Sequence, residues 1–449
     1  MPTMRRWHPL LLLGTIAVGA CSFDLSTNPN SPDPIGANPS RVQVGVATNG
    51  MLIAFRTDFA DYPLDLGIIG REVLRFDGSD PRFTTELLHG PLDPGGDAFG
   101  GDHWGDQYAA IRGGNLILAV LPTAADLTAA EQSATSGYVK TLQALNYVLI
   151  LNAHTQDSIP IVTDTSVTAA PAAFQSNAAG FQHVVTLLGE ARAELDAGGA
   201  AFPFGLPSGF DGFDTPATFV AFNRALLGRV EVYRGNFTEA LAALGESFID
   251  PGAPLDGGVY MDYGTGPGDF ANPLSIDPQQ GENFAHPSLE TGAQFQADGT
   301  TPDQRFLDKI VPRAVGSADD LTSDLGWIRY PTPTTPIPII KNEELLLLRA
   351  EASIGNSDFV TALADINTVR TLSGALEPLV SLGTPDQAVN ELLYNRLYSL
   401  MFEGAHRWID ARRYGRLGTL PIDRGPRPDT PSDQVFSTLP IPSDETNAR

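Results

Sequence analysis

The sequence predicts a mainly α fold: a body of helical hairpins with a large, loop-rich, irregular part packed on it. Three observations support this. Apolar residues recur at steps of three and four along most of the chain. Two well-separated segments repeat one hairpin pattern around a shared Gly-Asn pair. Residues 251–338, by contrast, are rich in Gly, Pro, Asp and Thr and show no helical period. So long an aperiodic stretch is a surface excursion or a functional one.

The chain opens with an export signal. Arg5 and Arg6 precede the apolar run Leu10 to Ala20, which is too short for a spanning helix of roughly 20 residues. The run ends at Val18-Gly19-Ala20-Cys21, which resembles the cleavage and lipidation box of bacterial lipoproteins. Cys21 is the only cysteine, so no internal disulfide is available, and lipidation would remove a free thiol from an oxidising compartment. An ordinary secretory signal with a stray cysteine is the plainer alternative. Residues 1–20 are read as signal peptide. Residues 21–40 are read as a lipidated tether, extended because of their prolines and asparagines. Residues 41–449 are read as a single domain.

The elements of that domain follow in order. Ser40 caps a helix over about 40–57. Residues 58–103 are turn-rich, with the runs DGSDP and DPGGDAFGGDH. Trp104, Tyr108, Ile111 and Asn115 then share one helical face. A helix over about 126–152 carries the stripe Tyr138, Leu142, Leu145 and Leu149. Another, over about 171–196, carries Phe181, Val185, Leu188, Arg192 and Leu195, and stops at Gly198-Gly199. Thr215-Pro216 is a cap followed by a first-turn proline, and Phe219, Phe222, Leu226, Val230 and Tyr233 form the next stripe. Gly235-Asn236 breaks it before a short helix with Phe237, Leu241, Leu244 and Phe248. Helices resume at about 341–354, 359–372 and 385–414.

Two of these hairpins echo each other. GRVEVYRGNFTEALAAL begins at Gly228, and LRAEASIGNSDFVTALADI begins at Leu348. Arg229 matches Arg349, Glu231 matches Glu351, and Gly235-Asn236 matches Gly355-Asn356. Ala240 and Ala362 are small enough to let two helices approach. This is the logic of tetratricopeptide-like repeats, with more degenerate copies expected over 104–196. A generic helical-hairpin protein is the bland alternative.

Charge narrows the partners. With 28 basic and 53 acidic residues the net charge is -25. That argues against nucleic acid, which needs clustered cations, and against an anionic lipid surface as the main partner. Seven histidines without an HExxH motif or a His/Cys cluster argue against a transition-metal site. Asp93, Asp97 and Asp102 could hold Ca²⁺ but lack ordered EF-hand spacing, so no cofactor is expected.

The C-terminal third carries the most specific signal. Leu392-Leu393-Tyr394-Asn395-Arg396 leads into Phe402-Glu403-Gly404-Ala405-His406-Arg407-Trp408-Ile409-Asp410-Ala411-Arg412-Arg413-Tyr414-Gly415, and the chain closes with Leu439-Pro440-Ile441-Pro442. With Asn28-Pro29-Asn30, the Trp104 to Asn115 face, Gln143 to Tyr147, Ile159-Pro160 and Leu348 to Ala352, these strongly resemble the SusD/RagB family of outer-membrane nutrient-uptake lipoproteins. The resemblance spans nearly the whole mature chain and is weakest over 251–338. It implies a SusD-like fold with tetratricopeptide-like hairpins, and a non-catalytic protein on the outer membrane, lipid-anchored and facing the exterior. It also implies a TonB-dependent transporter as partner and a glycan or peptide as ligand. Asn395 and Ser399 depart from the family, which often has Glu at both places.

Site residues follow from chemistry. Glu403, Arg407, Asp410 and Arg413 stand at steps of four, three and three, so their charges can pair along one helix as a structural polar network. Flanking arginines would keep Glu403 and Asp410 ionised, which is wrong for a general acid. Sugars stack on aromatic faces and bond to nearby polar groups. Trp327, with Arg329 and Tyr330, is the leading ligand-binding candidate, and Phe99, His103 and Trp104 could border the same pocket. The bland alternatives are that Trp327 merely covers the helical body and that Trp104 and Trp408 are core. On this reading the irregular part holds ligand and the helical repeats hold the transporter. Two other classes stay open: a repeat-containing envelope scaffold, and a secreted hydrolase.

Overall fold

A computed structural model describes residues 35–95, 99–155, 159–162, 164–165, 169–426 and 432–449. The signal peptide, Cys21, most of the tether and Asp97 lie outside the described residues.

The structure is mainly helical. Helix α1 (Arg41–Phe59) starts at Ser40, whose side chain accepts from the Gln43 backbone N–H while Gln43 bonds back. Helix α2 (Asp61–Ile69) and strand β1 (Val73–Arg75) occupy the stretch expected to be turns. Apart from Asp61, α2 is buried on every side, so it shows no amphipathic period. The short α3 (Arg82–Thr85) follows. Helices α4 (Gly105–Val120) and α5 (Ala129–Ala153) come next, the latter capped by Thr128. Strands β2 (Ile159–Pro160) and β3 (Phe174–Gln175) pair antiparallel before α6 (Asn177–Asp196).

Helix α7 (Pro216–Arg234) ends at Gly235, whose φ of 75° is the left-handed cap that glycine tolerates, and α8 (Phe237–Gly245) turns back on it. Strands β4 (Gly258–Met261) and β5 (Asn283–Ala285), short helices α9 (Ser288–Thr291) and α10 (Gln304–Lys309), and strands β6 (Ile310–Ala318), β7 (Leu321–Trp327) and β8 (Ile337–Lys341) fill the stretch expected to be irregular. They form a four-stranded antiparallel sheet in the order β1-β5-β7-β6 and a separate β4-β8 pair. The β6–β7 turn places Asp319 and Asp320 at φ of 50° and 65°, the left-handed pair that a tight hairpin needs.

Helices α11 (Asn342–Gly355) and α12 (Phe359–Leu372) form the second hairpin. The last predicted helix is two: α13 (Pro385–Leu400) and α14 (His406–Arg413). Phe402 and Ala405 between them have φ of 59° and 57°, so the helix cannot run through. The short α15 (Ser443–Asn447) closes the chain.

Helices α4 to α8, α11 and α12 pack in succession, as in a solenoid, and α13 and α14 bring the chain back against α2. Ala240 and Ala362 are fully buried in their hairpins. At the α7–α8 crossing a side chain on Gly228 would lie 2.6 Å from Leu244. One large apolar core joins the helical body to the β-rich part.

Candidate functional site

The motif at the start of α14 builds a buried charge network. Glu403 lies before the helix, not on it, so it does not pair with Arg407 as the spacing suggested. Its carboxylate faces Lys309 (3.2 Å), Arg329 (2.9 Å) and Lys341 (2.8 Å). Burial pushes the Glu403 carboxyl up, but Lys309, Lys341 and Arg329 outweigh it and hold it far below the usual range. Asp410 takes Arg396 Nε at 2.5 Å and Arg413 at 3.1 Å. Arg407 donates to the Arg71 carbonyl and to Ser288 Oγ, beside buried Glu72. Asn395 and Ser399 share one donor: Arg305 Nη1 bonds Asn395 Oδ1 and Ser399 Oγ, both at 3.0 Å.

The leading ligand candidates turn inward. Trp327 ends β7 at 6 % exposure, its ring 4.8 Å from that of Phe402. Tyr330 is buried and donates from its hydroxyl to the Phe402 carbonyl at 2.7 Å. Arg329 is held by Glu403 and lies over the Tyr330 ring. None of the three presents a face on which a ligand could stack, so the aromatic platform expected there is absent. The alternation of Leu321, Ser323, Leu325 and Trp327 as inward residues gives the reason, and that period of two was present in the sequence. Phe99 packs on Phe83, with Arg82 over its ring, and is half-buried. It does not meet Trp327.

Trp104 stands elsewhere, on the wall of a groove along α4. Three adjoining cavities make this groove, of about 600, 580 and 420 Å³. The first lies between α4, α5 and α6, with Asn115, Gln143, Tyr147, Asp164 and His183 on its walls. The second shares Val162 and Asp164 with it and adds Trp104, Tyr108, Arg112, Pro160, Pro171 and Arg449. The third shares Trp104 and Glu445 with the second and ends at Asp58, Asp102, His103, Asp106 and Gln107.

Local structure fixes these walls. Trp104, Tyr108, Arg112 and Asn115 come from one face of α4. The Tyr108 hydroxyl donates to the Pro160 carbonyl at 2.8 Å, and Asn115 Nδ2 to the Val162 carbonyl at 2.8 Å. Gln143 spans α5 to α4 by donating to the Ile111 carbonyl and Asn115 Oδ1. Trp104 meets His154 edge-on and is only 5 % exposed. At the acidic end His103 Nδ1 is 2.9 Å from Asp58, and its Nε2 is 3.5 Å from Asp65. Burial works against a charge on His103, but Asp58 and Asp65 hold the ring protonated well above the ordinary range. Burial, with Asp65, Asp58 and Asp106 nearby, pushes the Asp102 carboxyl up to about 6.

Sequence reasoning found Trp104 but not the groove around it. The Trp104-x3-Tyr108-x2-Ile111-x3-Asn115 face marked one wall, whereas the opposite wall comes from residues 160–162, 164–165 and 169–172 and from Pro442 to Arg449, far away in sequence. Among the described residues no three His, Cys, Asp or Glu side chains are grouped as metal ligands.

No protein-family model and no curated protein matches the chain. Solved structures do resemble it. A SusD superfamily protein from Bacteroides vulgatus aligns with a TM-score of 0.70 at 17% identity, covering 92% of this chain and 98% of that one. A SusD-like carbohydrate binding protein from Bacteroides fragilis aligns with a TM-score of 0.67 at 15% identity, over 91% and 98%. A laminarin binding SusD-like protein aligns with a TM-score of 0.66 at 17% identity, over 92% and 98%. Identities this low carry the architecture, and the architecture of this chain is the SusD fold.

Proposed function

We propose that this chain captures a nutrient oligomer, oligosaccharide or peptide, without altering it chemically, and passes it to a TonB-dependent transporter of the outer membrane. The observation that carries the reading is the SusD fold over 92% of the chain, shared with structures described as carbohydrate binding and laminarin binding. The groove along α4 supports it, being an open trough with aromatic, aliphatic and polar walls, of the kind that holds small ligands. The lipid on Cys21 would tether the protein, and no helix among the described residues is long and apolar enough to cross a membrane.

The charge network argues against Glu403 and Asp410 as the acid/base pair of a hydrolase. Glu403 is buried among three cations and Asp410 between two arginines. Held ionised, Glu403 has no proton to donate, and at 3 % and 4 % exposure neither carboxylate reaches a substrate.

Two measurements test the proposal. Affinity purification of the full chain from membranes should bring down a β-barrel transporter, and calorimetry should show an oligosaccharide or peptide bound and recovered intact. Recovery of envelope proteins with no oligomer bound would favour a scaffold. Release of shortened products would favour a hydrolase.

A further inference from the structure

The acidic end of the groove has acceptors and almost no donors. Asp58 is satisfied by His103 and by Gln107 Nε2. Asp102, Asp106 and Asp444 also line this cavity, and among the described residues no side-chain donor is hydrogen-bonded to their carboxylates, although His103 and Arg82 act on Asp102 from further away. Gln107 Oε1 supplies an independent sign. Gln107 is 1 % exposed, lines the same cavity, and leaves this buried oxygen without a partner. Its amide orientation is fixed, because turning it over would set oxygen against the Asp58 carboxylate. A buried acceptor left unpaired is costly, so a group that donates would be favoured here.

Charge and size define that group. Among the described residues that line the cavity, the one cation, His103, is spent between Asp58 and Asp65. Asp106 acts on Asp102, and Asp58 acts on both, which favours a positive guest. A cavity of about 420 Å³ exceeds a bare ion and admits an ammonium together with the carbons that carry it. Its mouth, at Trp104 and Glu445, opens into the rest of the groove, where the uncharged part of a longer ligand would lie.

We propose that this end of the groove binds a primary ammonium group on the captured oligomer, supplied by an amino sugar or by an amine of a peptide. The proposal rests on the capture reading, because the ammonium is one group of a ligand that fills the trough.

Calorimetry on the full chain tests it with five probes: a glucosamine oligomer, its N-acetylated counterpart, tri-lysine, its fully N-acetylated form, and a neutral β-glucan. A free amine should bind at least tenfold more tightly than its acetylated form, and added salt should weaken it. Whether glucosamine or lysine binds better identifies the source of the amine. Asp102→Asn combined with Asp106→Asn should weaken the amine at least tenfold. Asp444→Asn, on the exposed C-terminal helix, should weaken it in the same sense without touching the core. Equal binding of free and acetylated forms, or unchanged amine affinity in these variants, overturns the ammonium site. If the neutral glucan still binds, the capture reading stands alone. If no oligomer binds at all, the capture reading falls and this inference with it.

Discussion

Glu403 is one carboxylate with Lys309, Arg329 and Lys341 around it, all within 3.2 Å. Removing its charge leaves three cations in a buried place with Glu343 as their nearest remaining anion, on Lys341. Glu403→Gln should therefore lower stability by about 3–5 kcal/mol, read by chemical denaturation. Trp327 makes a different prediction from the one its sequence neighbourhood suggests. Its ring fills space against Phe402, so Trp327→Ala should cost about 3–5 kcal/mol through the cavity it leaves. Ligand affinity of the folded protein should be unchanged, and a tenfold loss of affinity with an unchanged melting point would return Trp327 to the site. Both residues show where residue-level reading stops. The spacing of Asp410 and Arg413 was enough to find a real ion pair. Nothing near Glu403 in sequence announces Lys309 or Lys341, which arrive from strands and helices many residues upstream.

Elements were legible where their apolar period was helical and their ends were capped. The capping boxes at Ser40, Thr215 and Thr384 sit at the starts of α1, α7 and α13. The strands of 251–338 were missed because most are short and separated by Gly- and Pro-rich turns, which mask a period of two. Helix α2 was missed because it is apolar nearly all round. The break at Met401 to Ala405 was missed because left-handed Phe and Ala have no signature of their own. The echoing hairpins also hid a difference. Arg229 crosses to Glu344 on α11, whereas its counterpart Arg349 stays within its own hairpin on Asp365. The α7–α8 crossing offers the cleanest test. Leu244 fills the space above Gly228, so Gly228→Val should overpack the hairpin and cost about 1–3 kcal/mol. A thermal melt equal to that of the parent would show that α8 can move aside.

At the scale of the whole molecule, buried ionisable groups set a pH window. Burial pushes Glu72 up to about 7 despite the Phe402 N–H and Arg407, and pushes Asp65 up to about 6. His103 is raised as well. Each holds a proton in the folded state that the unfolded chain releases, so their contribution is lost as pH rises through these values. Burial lowers His154 and His406 to about 4. These stay neutral in the fold while the unfolded chain takes up protons below about 6.5, so stability is lost again in acid. Glu343 and Glu344 are lowered, burial being outweighed by Lys341 and Lys309 for one and by Arg229 for the other, and add to the acid loss below about 4.5. The melting temperature should peak between about pH 5 and 6.5 and fall on both sides. A profile still rising at pH 8 would contradict the assignment.

Residues 439–449 are part of the groove rather than a loose segment. Leu439 N–H donates to the Ala153 carbonyl and Ser443 N–H to the Pro94 carbonyl. Arg449 donates to the Ala172 carbonyl at 2.6 Å and lies over the Phe174 ring at 3.9 Å. Pro442, Asp444, Glu445 and Arg449 are thus wall residues. An affinity tag or fluorescent reporter joined to Arg449 would stand in the mouth of the trough and read as weak binding in a protein that folds normally. A label on α12, where Val360 is 82 % exposed and no groove residue lies, leaves the trough clear.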